Sequence, residues 1–161
     1  MNTFIFLRQD ILEKHIDKIM ISVKNKKLCR GVQQEYVVSS LQQDDVLVLL
    51  MCPKNRNVYG FATLELKMPV LHIELMGTNK SKKLGLCGIG RELIHIIIEY
   101  AKMNNFESLS LKSINQSVEF YQKMGFTYDE IVAADDVSSN TQNNDPPIIM
   151  YMKINTLDKS I

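Results

Sequence analysis

Little in this chain of 161 residues points to a covalent or metal scaffold. Its three cysteines, Cys29, Cys52 and Cys87, are odd in number, far apart, and without CxxC or Cys/His ligand spacing. Reduced thiols are therefore expected, with no disulfide framework and no bound metal. Charge of one sign is also scarce. The formal net charge is +1, and the lysine clusters at Lys24–Lys27 and Lys80–Lys83 are too short to make a basic face for duplex DNA, which argues against a nucleic-acid partner. Long apolar runs are missing as well. The N-terminal run before Arg8 is shorter than a signal-peptide core, and no stretch approaches the ~18 apolar residues of a membrane span. These absences lead to the expectation of a cytoplasmic chain with no membrane partner.

What is present is an ordinary globular composition, 45% hydrophobic and 23% charged. A single domain over residues 1–161 is expected, large enough to bury roughly two thirds of its unfolded surface. Thr3–Leu7 reads as a strand. Asp10 with Glu13 makes a capping-box pattern, after which Leu12, Ile16, Ile19, Met20 and Val23 recur at helical spacing. Val37 and Leu41 suggest a second amphipathic helix within Gly31–Gln43. Three strand runs follow, "DVLVLLMC", "VYGFATLELK" and "VLHIELM" (Val70–Met76), separated by turn residues and read as an antiparallel meander. Ile89, Leu93, Ile96, Ile97 and Tyr100 then mark a helix buried along most of its girth. "ESLSL" (Glu107–Leu111) is a strand, "NQSVEFYQKMGF" a short helix ending at a left-handed Gly125, and "FTYDEIV" and "PIIMYMK" are the last strands. The polar stretch Ala133–Pro147 between them is turn-rich and unlike packed structure.

The segment "KKLGLCGIGRELI", starting at Lys82, needs a separate explanation, because glycines and lysines directly before an apolar helix are not there for packing. A P-loop fits poorly: Gly85 and Gly90 have the spacing, but Arg91 and Glu92 stand where lysine and a hydroxyl are required. A dinucleotide fingerprint would place Leu93 at its third glycine and should open a βαβ unit. There remains a loop whose backbone N–H groups, freed by Gly85, Gly88 and Gly90 and helped by the positive end of the helix, cradle a phosphate or diphosphate, with Lys82 and Lys83 adding charge. A flexible loop with a glycine helix start is the alternative.

Across about sixty residues the run "LHIELMGTN…GLCGIGRELI…ESLSL…NQSVEFYQKMGF" resembles the GNAT superfamily of acyl-CoA-dependent N-acetyltransferases. Gly88-Ile89-Gly90 matches the family's G-x-G, and Asn115, Val118, Phe120, Tyr121, Gly125 and Phe126 follow its N-x-x-A-x-x-x-Y-x-x-x-G-F pattern. Gly85 falls where the family has Gln or Arg, and the connection before the loop is longer than usual. The resemblance implies a mixed α+β, three-layer fold. Its central, mostly antiparallel twisted sheet has about seven strands, splayed between the fourth and fifth and flanked by about four helices.

It also implies acetyl-CoA as co-substrate. Its pantetheine arm would run beside Leu75 and Met76, and its pyrophosphate would rest on Lys82, Lys83, Leu84, Gly85, Leu86, Cys87, Gly88, Ile89, Gly90 and Arg91, with Asn115 capping its helix or bonding the cofactor. An amine, on a small molecule or a protein, would be the acceptor, and a homodimer is compatible with the fold. Holding a lysine-like amine neutral at pH 7 costs about 4.6 kcal/mol, so a base is needed. His72 and Glu74, two apart on one strand face, are the candidates, and Tyr121 at the family's tyrosine position is the candidate acid for the departing thiolate. An acyl-CoA-binding module without catalysis is the competing reading.

Overall fold

The computed structural model describes residues 1–25, 28–29, 32–79, 88–128 and 147–154. Six strands, β1 (Asn2–Leu7), β2 (Val46–Met51), β3 (Val58–Lys67), β4 (Val70–Thr78), β5 (Ser108–Ser113) and β6 (Ile148–Lys153), form one sheet in chain order. Every neighbouring pair is antiparallel except β4 and β5, which run parallel. Four α-helices among the described residues join them: α1 (Glu13–Lys24), α2 (Gln34–Gln43), α3 (Ile89–Met103) and α4 (Val118–Lys123). The mixed, mostly antiparallel architecture is the one expected, with six strands among the described residues rather than about seven. Of the expected strand "FTYDEIV", Thr127 bridges Tyr151, and the segment beyond Tyr128 lies outside the described residues.

The run Val46–Met51 is apolar without alternation because both of its faces are covered. Val46, Val48 and Leu50 join Ala62, Leu64, Leu71 and Ile73 in a core beneath α3, while Leu47, Leu49 and Met51 join Phe61 and Leu75 in a second core beneath α1 and α2. The helices supply matching stripes, Leu93, Ile94 and Ile97 on one side and Ile19, Val37 and Leu41 on the other, all essentially inaccessible to solvent. At about 25 cal/mol per Å² of apolar area, these two interfaces are the main source of stability. No helix among the described residues is long and apolar enough to cross a membrane.

Two local expectations are corrected. Asp10 does not cap α1: it lies in a short 3-10 turn, Arg8–Asp10, and the residue preceding α1 is Leu12. There His15 does what Glu13 was expected to do, its Nδ1 accepting the Leu12 N–H at 3.1 Å. Gly125, in contrast, takes the left-handed conformation expected of it (φ +98°), and Phe126 behind it is buried.

Gly60 on β3 lets α3 settle onto the sheet. A Cβ there would lie 2.7 Å from Ile89 Cγ2 and 3.1 Å from the Gly77 carbonyl oxygen. Gly60→Ala is expected to lower unfolding free energy by about 1–3 kcal/mol in urea titrations, the usual cost of overpacking; an unchanged midpoint would show that α3 can shift at no cost.

Candidate active site

β4 is the strand on which the site is built. It pairs with β5 only from Val70↔Ser108 to Ile73↔Leu111. Beyond that point β5 continues beside β6 to Ser113, and β4 continues beside β3 to Gly60↔Thr78, followed by the Asn79 N–H bonded to the Tyr59 carbonyl at 2.7 Å. The two strands therefore part after Ile73 and Leu111, and Glu74–Thr78 present a backbone edge with no β5 partner.

A register shift falls at the same place. Leu64 pairs with Ile73, but Thr63 pairs with Leu75, leaving Glu74 as an extra residue in β4. Such a bulge interrupts the strict alternation of faces. Leu71 and Ile73 lie in the α3 core, Leu75 in the α1/α2 core, so His72, Glu74 and Leu75 all face α1 and α2.

On that face polar groups from four elements converge. Ser110 Oγ lies 2.7 Å from His72 Nδ1, and His72 Nε2 lies 3.4 Å from Glu74 Oε2. The other oxygen of Glu74 accepts a hydrogen bond from the Tyr36 hydroxyl of α2. Glu65 on β3 completes the group, its carboxylate within 4.8 Å of the donor atoms of His72 and Glu74 and salt-bridged to Lys67. The His72 side chain is 12% exposed and that of Glu74 25%. Both His72 nitrogens and both Glu74 oxygens face protein groups, but a carboxylate oxygen can accept more than one hydrogen bond, whereas each ring nitrogen has a single position to offer. Sequence reasoning missed Tyr36 and Ser110.

Tyr121 stands on the opposite face, packed against the α3 core with its ring edge-on to Phe120 and Phe126 at centroid distances of 5.1 and 5.7 Å. Burial pushes its phenol up to about 12.

The expected diphosphate loop is described only from Gly88 onward; Lys82, Lys83, Leu84, Gly85, Leu86 and Cys87 lie outside the described residues. Gly88 has φ +84°, and among the described residues nothing lies within 4 Å of where its Cβ would be. Its carbonyl accepts the first bond of α3, from the Glu92 N–H at 2.9 Å, so the N–H groups of Ile89, Gly90 and Arg91 have no acceptor within the helix. Such N–H groups at a helix N-terminus suit an anion. Gly90 has a different reason to be glycine: a Cβ would meet Phe120 Cζ at 3.0 Å. The Ile89 and Leu75 side chains are buried in the two cores, leaving only their main chains for a ligand. Asn115 is not a helix cap, because the cap positions of its 3-10 turn and of α4 fall on Ile114 and Ser117; it lies exposed in the first turn.

Burial holds the His72 imidazole below its ordinary value, against the pull of Glu74. The folded chain thus binds fewer protons at this ring than the unfolded chain as pH drops through about 6.5, and stability present above that pH is lost below it. Asp44 at the end of α2 acts in the opposite sense. It is buried, its Oδ2 completes no hydrogen bond among the described residues although Thr63 is near, and burial raises its carboxyl to about 6. It therefore takes up a proton on folding below that pH, gaining stability there. Comparison with a variant isolates the histidine: the difference in unfolding free energy between the parent and His72→Gln should narrow from about pH 7.5 to about pH 5.5, and a constant difference would refute the neutral-ring assignment.

Comparisons with known proteins agree with this geometry. The family profile described as "Acetyltransferase (GNAT) domain" matches residues 17–137. No curated protein matches the sequence. Among solved structures, Tetrahymena GCN5 superposes with a TM-score of 0.71 at 17% identity, over 97% of this chain and 98% of that one. The ribosomal-protein-S18-alanine N-acetyltransferase of Escherichia coli gives 0.69 at 15%, over 99% of both chains. The N-acetylglutamate synthase of Neisseria gonorrhoeae, complexed with coenzyme A and N-acetyl-glutamate, gives 0.60 at 17%, over 96% of this chain and 35% of that one. With a fold shared along nearly its whole length and a family match over most of it, the chain belongs to the GNAT acetyltransferases, whose class of chemistry is acyl transfer.

Proposed function

We propose that the chain, as a single domain over residues 1–161, transfers an acetyl group from acetyl-CoA to a primary amine. The observation that carries this reading is the parting of β4 from β5 at Glu74, in a sheet whose two faces hold the candidate base and acid. When bound, acetyl-CoA supplies an acetyl thioester that an amine attacks directly, through a tetrahedral intermediate.

The main-chain N–H groups at the start of α3, from Gly88 to Arg91, would hold the diphosphate, where the helix dipole favours negative charge. Residues Lys82 to Cys87 would complete that cradle. Unpaired main-chain groups of β4 near Leu75 and Met76 would bond the pantetheine arm, and an N–H there can stabilise an oxyanion. Asn115 would bond the same ligand from the start of α4. The amine approaches from the α1/α2 face and loses its proton to Glu74, directly or through water.

Tyr121 acts from the other face. A phenol near 12 stays protonated at neutral pH, and full transfer to a thiolate of ordinary value about 8.5 would be uphill by roughly 5 kcal/mol. It therefore serves best as a hydrogen-bond donor that stabilises charge developing on sulfur.

The test is release of free coenzyme A thiol with a panel of amines. Glu74→Gln should lower kcat by about 100-fold or more with little change in KM for acetyl-CoA, as loss of a general base requires. Tyr121→Phe should lower kcat more than it raises that KM; unchanged turnover would remove Tyr121 from the mechanism. A thermal shift with coenzyme A but no thiol release from any amine would favour a binding module instead.

A further inference from the structure

We propose that Ser110, His72 and Tyr36 form a clamp that grips both oxygens of the Glu74 carboxylate, with His72 fixed as its Nε2–H tautomer. The proposal rests on the reading of Glu74 as the base, and it assigns positioning roles to three residues on three different elements.

The direction of each contact follows from what each group can do. A carboxylate only accepts, so a proton between His72 Nε2 and Glu74 Oε2 belongs to the nitrogen. The ring is buried and its proton affinity is lowered, so a neutral imidazole with its hydrogen on Nε2 has a bare lone pair on Nδ1. Ser110 Oγ, 2.7 Å away, must then donate to it. The Ser110 residue is only 6% exposed and pairs with His72 in the parallel ladder, one step before the strands part. On the other side Tyr36, its phenol pushed up to about 12 chiefly by burial, donates to Glu74 Oε1. At 3.4 Å the His72–Glu74 contact lies beyond ordinary hydrogen-bond length and acts as an electrostatic contact that orients the carboxylate rather than holding it. Each carboxylate oxygen has more than one lone pair, so Glu74 can still accept from an ammonium group.

The charged and titratable groups that bear on this cluster are Tyr36 and Asp44 from α2, Glu65 and Lys67 from β3, and Lys112 from β5. Losing the Tyr36 donor leaves all the others in place.

Two measurements test the proposal. The first needs no substrate. In the uniformly 15N-labelled full chain, the imidazole 15N–1H correlation of His72, told apart from His15 and His95 by single substitutions, should show the Nε2–H tautomer near pH 7; an Nδ1–H or doubly protonated ring would overturn the clamp. The second uses the acetyl-transfer assay. Tyr36→Phe should lower kcat about tenfold with KM for acetyl-CoA unchanged, and Ser110→Ala should lower kcat about tenfold with Ser110→Thr restoring it. A rise in KM for acetyl-CoA as large as the fall in kcat, or no rescue by threonine, would reduce these residues to structural ones. Failure of the base assignment reads differently: Glu74→Gln would keep its full rate while the tautomer result still stood.

Discussion

One extra residue in β4 governs the arrangement. With Glu74 inserted, β3 and β4 stay in register on either side of it, and the parallel ladder to β5 stops at Ile73 and Leu111. Main-chain groups along an edge so released have to find water or a ligand, since leaving them buried and unpaired is costly. The same insertion turns Glu74 and Leu75 toward α1 and α2 while Tyr121 remains on the α3 side. A small molecule can be reached from both faces of a sheet only where the sheet is open, and this is where the described strands separate.

The rest of the sheet is built to stay closed. β2 is inaccessible on both faces, and its neighbours carry the two cores that clasp it. Among the described residues, the buried polar atoms left without hydrogen bonds gather on the α1/α2 side of the sheet. There Asp44 Oδ2 and Thr63 Oγ1 lie buried without hydrogen bonds among the described residues, and a histidine is held beside two carboxylates, Glu65 and Glu74. Departures from good packing and polar satisfaction concentrated in one place are what a functional site looks like against an otherwise consistent fold.

The sequence made most of the elements readable because apolar spacing is a local property: the stripe of α3, the doubly buried β2, the left-handed Gly125. The placing of His72 and Glu74 on one face was readable for the same reason. The bulge was not. Accessibility along β4 still alternates from Leu71 to Gly77, because Leu75 is buried in the second core just as Ile73 is in the first, so the extra residue leaves no trace in the pattern. Tyr36 and Ser110 were hidden differently, each being 38 residues from the partner it meets. The α1 cap was misplaced because a ring nitrogen of His15 does the work expected of a carboxylate, and the purpose of Gly90 was only half legible, since the ring that requires it lies far along the chain on α4.

That last contact gears two distant parts of the molecule together. Phe120 touches the first turn of α3 at Gly90 and stacks edge-on with Tyr121 beside it, so any tilt of the turn is handed to the phenol through two aromatic rings and no intervening loop. The size of one residue also bears on the other: a methyl at position 90 would stand 3.0 Å from the tip of the Phe120 ring, which would have to yield by a few tenths of an ångström and press on Tyr121 beside it.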